Sequence, residues 1–241
     1  YWPAVETKPV EHGFFALPEG PGPHPGVVLI PDVRGLYDHF RELSVRLAGE
    51  GFAVLAVDLY RRTGPPEIDG PADALRFIAG LSDPEILADV QAARDFLAGH
   101  PAVAGRPIGV VGFCMGGQYA ILAACTCSGF SACAPFYGML CYAPGMDRAR
   151  KPRSPMQATP DLRCSLLGFY GADDPLIPLD QVLEFETHLA DAPHRGEVHI
   201  YEGAGHAFMN DTQPASHRPE AAQDAWPKLV TFLREELGDD A

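Results

Sequence analysis

Short apolar runs rich in β-branched and aromatic residues recur along this chain, separated by segments of helical periodicity, and that alternation constrains the fold more than any other feature. Runs at 13–17, 27–31, 52–58, 108–112, 131–136, 164–170 and 197–201 read as strands. Several are apolar at nearly every position, as expected when both faces of a sheet are covered. Between them, 40–51 reads as a helix closed by Gly51, 83–98 as one opened by Asp83-Pro84, and 115–124 as one that follows its strand directly. A further helix starts at Pro178 and runs over 178–190. The stretch 219–237, with Trp226, Leu229, Val230, Phe232 and Leu233, predicts a last helix against the sheet, kinked or broken at Pro227. The pattern predicts an α/β protein with a mostly parallel central sheet flanked by helices on both faces, forming a single domain over 1–241. Segments 61–80 and 139–161, the latter with prolines at 144, 152, 155 and 160, predict loop excursions from that scaffold.

Charge narrows the partners. Thirty-two acidic against 18 basic residues give a net charge of −14, the wrong sign for neutralising a phosphate backbone, so nucleic acid is not expected. No run approaches the 18 or so apolar residues of a membrane span, and residues 1–25 carry Glu6, Lys8, Glu11 and several prolines where an export signal needs an apolar stretch. Six cysteines, 114, 125, 127, 133, 141 and 164, lie close together in sequence with no C-x-x-C pair, which reads as reduced thiols in a cytoplasmic protein. No feature identifies an oligomeric partner.

The sharpest local signal is Gly112-Phe113-Cys114-Met115-Gly116, at the end of an apolar strand and the start of a helix. A nucleophile on a tight strand-to-helix turn needs small flanking residues, and Gly112, Gly116 and Gly117 supply them. The helix start also favours a thiolate through its free amides and dipole. The competing reading makes Cys114 a small buried hydrophobe beside packing glycines, the reading that the other five cysteines keep. The glycine frame favours the nucleophile.

Acyl transfer from a thiolate needs a histidine as base and acid, and a carboxylate to hold its ring. Both residue types follow later strands in the expected order. Asp174 lies in Gly171-Ala-Asp-Asp-Pro175, and His206 in Gly203-Ala-Gly-His206-Ala-Phe208. Taken alone, Asp174 is an ordinary turn residue and His206 one of nine histidines. Three catalytic residue types at three strand ends, the edge where open parallel sheets place their sites, favour a Cys-His-Asp triad.

With these residues in view, the chain resembles the dienelactone hydrolase family of the α/β-hydrolase fold. The resemblance runs from Val27 to Leu237 and includes Pro31-Asp-Val-Arg-Gly35, Val57-Asp-Leu-Tyr60, Phe136-Tyr137-Gly138, the Cys114 turn and the Asp174 and His206 segments. It implies that Cys114 attacks an ester or lactone carbonyl, His206 shuttles protons and Asp174 orients it. It further implies an oxyanion hole from the Val33 and Met115 amides and no metal or organic cofactor. Substrate-binding or activation roles fall to Asp32, Arg34, Tyr60 and Tyr137. The family usually has glutamate where Asp32 stands, so Asp32 either helps activate the thiol or makes only local backbone bonds. It also clamps a substrate carboxylate with an arginine four residues after the histidine, where this chain has Asn210, leaving Arg34, Arg61, Arg62 or Arg76 to replace it. The expected activity is opening of a small ester or lactone. The alternatives are a general carboxylesterase or thioesterase of the same fold and a non-catalytic module that binds a small ligand.

Overall fold

The computed structural model describes residues 5–238. The ends of the expected domain, 1–4 and 239–241, lie outside them. The strands are β1 (Val5–Val10), β2 (Gly13–Pro18), β3 (Gly26–Ile30), β4 (Ala53–Val57), β5 (Ile108–Phe113), β6 (Ala132–Phe136), β7 (Ser165–Gly171) and β8 (Gly196–Tyr201). The helices are α1 (Asp38–Gly49), α2 (Pro71–Gly80), α3 (Asp83–Gly99), α4 (Met115–Thr126), the short α5 (Pro155–Ala158), α6 (Leu179–Ala190) and α7 (Pro219–Leu237). One eight-stranded sheet has the order β1-β2-β4-β3-β5-β6-β7-β8. β1, β2 and β4 pair antiparallel, and all other pairs are parallel.

Every residue of β3, β4, β5 and β6 is buried, because helices cover both faces. Gly26 of β3 faces Leu97 of α3, whereas Gly109 of β5 faces Leu233 and Leu237 of α7, so α3 and α7 lie on opposite sides. On the α7 side α1 packs alongside, with the Arg46 guanidinium 4.0 Å from the Trp226 ring and Arg234 paired to Glu50. Phe113, Phe136 and Phe169 occupy one register across β5, β6 and β7, and their rings stack at 4.7 and 4.3 Å beneath the strand ends.

The chain leaves β3 toward β4 on one side, then returns to β5 on the other, so the order reverses between β3 and β5. Open sheets place their crevice at such a reversal, beyond the C-terminal strand ends. The loop 31–35 after β3 and Cys114 after β5 both fall there.

Three elements go beyond the sequence reading. β1 is a largely exposed edge strand of sequence Val-Glu-Thr-Lys-Pro-Val, without apolar alternation to mark it. Segment 61–80 is a loop only as far as Gly70, whose φ of 82° starts α2 ahead of Pro71. Only Ile78 of α2 is buried, so its apolar signal is thin. Segment 139–161 contains α5, opened by a capping box between Ser154 and Gln157. α7 runs unbroken through Pro227. Among the described residues, no helix is long and apolar enough to cross a membrane.

Candidate active site

Cys114 sits between β5 and α4 with φ 56° and ψ −117°, a conformation that costs a non-glycine residue about 1–3 kcal/mol. Its N–H donates to the Phe136 carbonyl at 3.0 Å, which ties the strained turn to β6. The turn is also crowded. A β-carbon on Gly112 would fall 2.0 Å from the Gly116 carbonyl oxygen, and one on Gly116 would fall 2.1 Å from that of Ile30. Among the described residues, Cys114, Tyr137 and Ala207 alone combine a side chain with positive φ, and all three line one cavity. Strain concentrated in this way makes this cavity the candidate site.

Cys114 is half-buried, as is Cys141, whereas Cys125, Cys127, Cys133 and Cys164 are buried. Burial pushes the thiols of Cys125 and Cys164 up to about 12, and raises those of Cys127, Cys133 and Cys141. These five sulfurs are thereby held as thiols at neutral pH.

His206 follows β8, and its Nδ1 lies 2.7 Å from Asp174 Oδ2. A carboxylate only accepts, so Nδ1 carries the proton donated to it. Asp174 follows β7, its side chain fully buried, and its other oxygen accepts the Leu176 N–H at 2.8 Å. The two loops are joined by backbone bonds, Ala172 N–H to Tyr201 O and Asp173 N–H to Ala204 O, both at 2.9 Å. His206 Nε2 is buried and, with Nδ1 engaged by Asp174, is the ring nitrogen left to face Cys114, which borders the same cavity. Burial is the largest single influence on this imidazole and acts to lower its pKa. The charge of Cys114, then the hydrogen bonds to Asp174 and to Cys114, outweigh it and hold the ring up at about 10.

Met115 opens α4, so its N–H has no intrahelical acceptor. Among the described residues the Val33 N–H also donates to no backbone acceptor. Val33 is fixed from two sides. Tyr60 donates its hydroxyl to the Val33 carbonyl at 3.0 Å and lies 3.6 Å from Met115 Sδ. Asp32 Oδ1 accepts the Arg34 N–H at 2.8 Å, closing the turn around Val33. Tyr60 thus stands behind the loop, while Tyr137 lines the cavity with its ring 5.2 Å from that of His206.

Asp32 Oδ2 accepts from the Tyr37 hydroxyl at 2.9 Å, and the Tyr37 oxygen accepts from Asn210 Nδ2 at 2.8 Å. Asn210 is 2% exposed, and its Oδ1 accepts from the Thr212 N–H and hydroxyl. Burial raises the Asp32 carboxyl, opposed by the Arg34 and Tyr37 bonds. Both ends of the Asn210 amide are therefore committed inside the protein, and the chain of bonds ties the 31–35 loop to the His206 loop.

The cavity over Cys114 measures about 600 Å³ and is lined in part by Phe40, Ile68, Ala74, Leu176, Arg34 and Arg218. Arg61 and Arg62 lie elsewhere, both paired with Asp89, and Arg76 pairs with Asp73. Sequence reasoning missed Arg218, whose Nε donates to Gly203 O and whose Nη1 donates to Ala215 O and His217 O. Nothing in its local sequence distinguishes it from a surface arginine. A separate cavity, of about 410 Å³ between Cys141 and Gln157, shares no lining residue with the cavity over Cys114. Among the described residues no group of three His, Cys, Asp or Glu side chains could hold a metal ion.

Comparison with known proteins places the chain in a family. The sequence profile of the dienelactone hydrolase family matches residues 12–237. A "Probable 2-oxo-3-(5-oxofuran-2-ylidene)propanoate lactonase" from Bradyrhizobium sp is 33% identical over 221 residues, 92% of this chain and 88% of that one. The crystal structure of a "Putative Dienelactone Hydrolase" from Klebsiella pneumoniae superposes with a TM-score of 0.86 at 28% identity, covering 96% of this chain and 98% of the other. That of a dienelactone hydrolase-like promiscuous phosphotriesterase from metagenomic libraries gives 0.81 at 25% identity, covering 98% and 100%.

Proposed function

This chain belongs to the dienelactone hydrolase family, hydrolases of ester and lactone bonds, and from that premise we propose that it opens a small carboxylic ester or lactone through an acyl-enzyme on Cys114. The observation that carries the reading is the His206 ring, held at 2.7 Å by a buried carboxylate, with its second nitrogen available to Cys114. Cys114 Sγ, its proton passed to His206 Nε2, attacks the carbonyl carbon. The carbonyl π electrons move to oxygen, where the Val33 and Met115 amides receive the charge; each such donor contributes about 3 kcal/mol to the barrier reduction. Collapse breaks the bond to the leaving oxygen, which takes the proton from Nε2. Water then attacks the thioester while Nε2 accepts its proton, and the thiolate leaves as the carboxylic acid forms. Asp174 keeps Nδ1 protonated and the ring oriented throughout.

A general carboxylesterase or thioesterase of the same fold is the second reading. The committed Asn210 amide favours it, since nothing at that position can grip a substrate carboxylate as an arginine would. Hydrolysis of 4-nitrophenyl acetate by the wild type and by Cys114→Ala tests the mechanism. The variant should lose at least about 10³-fold in kcat. Equal rates would leave a ligand-binding module or a different nucleophile. Iodoacetamide should label Cys114 before Cys141, with activity lost in proportion. Labelling of Cys141 first with activity intact would remove Cys114 from the mechanism.

A further inference from the structure

The active-site cavity divides at Cys114. Beyond the large opening lies a recess of about 30 Å³ walled by Ala74, Leu75, Ile78, Met115, Met139 and Ile177. Ala74, Cys114, Tyr137, Leu176 and His206 border both parts. Apart from Cys114 and His206, every side chain around the recess is uncharged, and its walls are aliphatic or thioether groups. At about 30 Å³, against about 600 Å³ for the large opening, the recess has room only for a small group.

Which half of a substrate enters it follows from where His206 sits. The leaving oxygen must reach His206 Nε2 and then depart to solvent. Gly205 and Ala207, which flank His206, line the large opening and not the recess. The leaving group therefore occupies the opening, and the acyl substituent is left with the recess. We infer that the recess is an acyl pocket that selects short, apolar acyl groups, of acetyl or propionyl size. The inference rests on the acyl-Cys114 reading and adds its substrate class. α2 sets the size limit. Ala74, Leu75 and Ile78 fall on one side of that helix, so their bulk closes the recess.

Rates on 4-nitrophenyl acetate, butyrate and hexanoate test the pocket, because the leaving group is constant while the acyl chain grows. The wild type should show kcat/KM for hexanoate at least about tenfold below that for acetate, the scale on which a filled apolar pocket rejects added methylenes. Equal values would overturn the inference. Ile78→Ala should raise the hexanoate-to-acetate ratio at least fivefold. Leu75→Ala, at a position 38% exposed where truncation does not threaten folding, should move the ratio the same way. A ratio unmoved in both variants would overturn the pocket. The nucleophile is judged separately, since wild-type rates in Cys114→Ala would reject the acyl-Cys114 step, whereas the chain-length ratio decides the recess whichever group attacks. If the wild type hydrolyses none of the three esters, both readings fall.

Discussion

At position 114 the backbone occupies a region that glycine enters freely and a β-carbon resists, yet the chemistry proposed for the site needs a side chain there. This reverses the usual order of small residues. Elsewhere glycine is about 0.5–1 kcal/mol worse than alanine in regular structure. Here Cys114→Gly should be more stable than Cys114→Ala by about 1 kcal/mol, with both inactive, as read by urea unfolding. Alanine the more stable would mean that the turn relaxes without its thiol. His206 carries a pH signature of known sign. Its folded pKa, held at about 10 by Cys114 and Asp174 against burial, exceeds the ordinary 6.5 of an unfolded histidine. Its contribution to stability is therefore complete below about pH 6.5 and is lost as pH rises through about 10. The gap in stability between wild type and His206→Gln should shrink from pH 6 to pH 10.5. In Cys114→Ala the His206 titration midpoint, followed by NMR, should fall, because the charge that raises it most is gone.

Among the elements, segment 139–161 is held by a buried polar cluster rather than by apolar packing alone. Lys151 Nζ, fully buried, lies 2.6 Å from Asp83 Oδ1 at the start of α3, and Asp83 also accepts the hydroxyls of Tyr119 and Tyr142. Burial lowers the Lys151 ammonium, opposed by its bond to Asp83. Removing one partner of such a pair strands the other charge. Lys151→Met should therefore cost about 3–5 kcal/mol in unfolding free energy, and the double variant Lys151→Met with Asp83→Leu should cost less than the single one. A single-variant cost below about 1 kcal/mol would show that water already reaches the pair. Nothing local in the sequence announces this cluster, because Asp83 and Lys151 are 68 residues apart and each reads as a surface charge. The same limit explains Asn210 and Tyr37, 173 residues apart, and the role of Tyr60 behind Val33. What was legible had a local physical cause. Apolar strands covered on both faces had to be apolar throughout, and the crowding at Gly112 and Gly116 allows no side chain. α2 was illegible for the converse reason. It has no side-chain cap and buries one residue, since much of its apolar side faces the cavity rather than the core.

For the whole molecule, the balance between long-range field and local charge decides which substrates arrive. The charged side chains lining the large cavity, apart from the Cys114–His206 pair, are Arg34 and Arg218 against Asp32 and Asp173, so the local sum is close to zero. The surrounding protein carries a net charge of −14. An anionic ester thus approaches a negative molecule without a local excess of positive charge to draw it in, whereas a neutral ester is indifferent to the field. Screening reaches about 30 Å at 0.01 M salt and only a few ångströms near 1 M. Raising salt from about 0.01 to about 0.5 M should increase kcat/KM for 4-nitrophenyl hemisuccinate about two- to tenfold and leave that for 4-nitrophenyl acetate within about twofold. Arg218→Gln should deepen the low-salt penalty on the anionic ester, since it removes one of the two cations at the mouth. A fall in the hemisuccinate rate with added salt, abolished by Arg218→Gln, would instead show that the arginines outweigh the molecular charge and that the cavity is built to receive an anion.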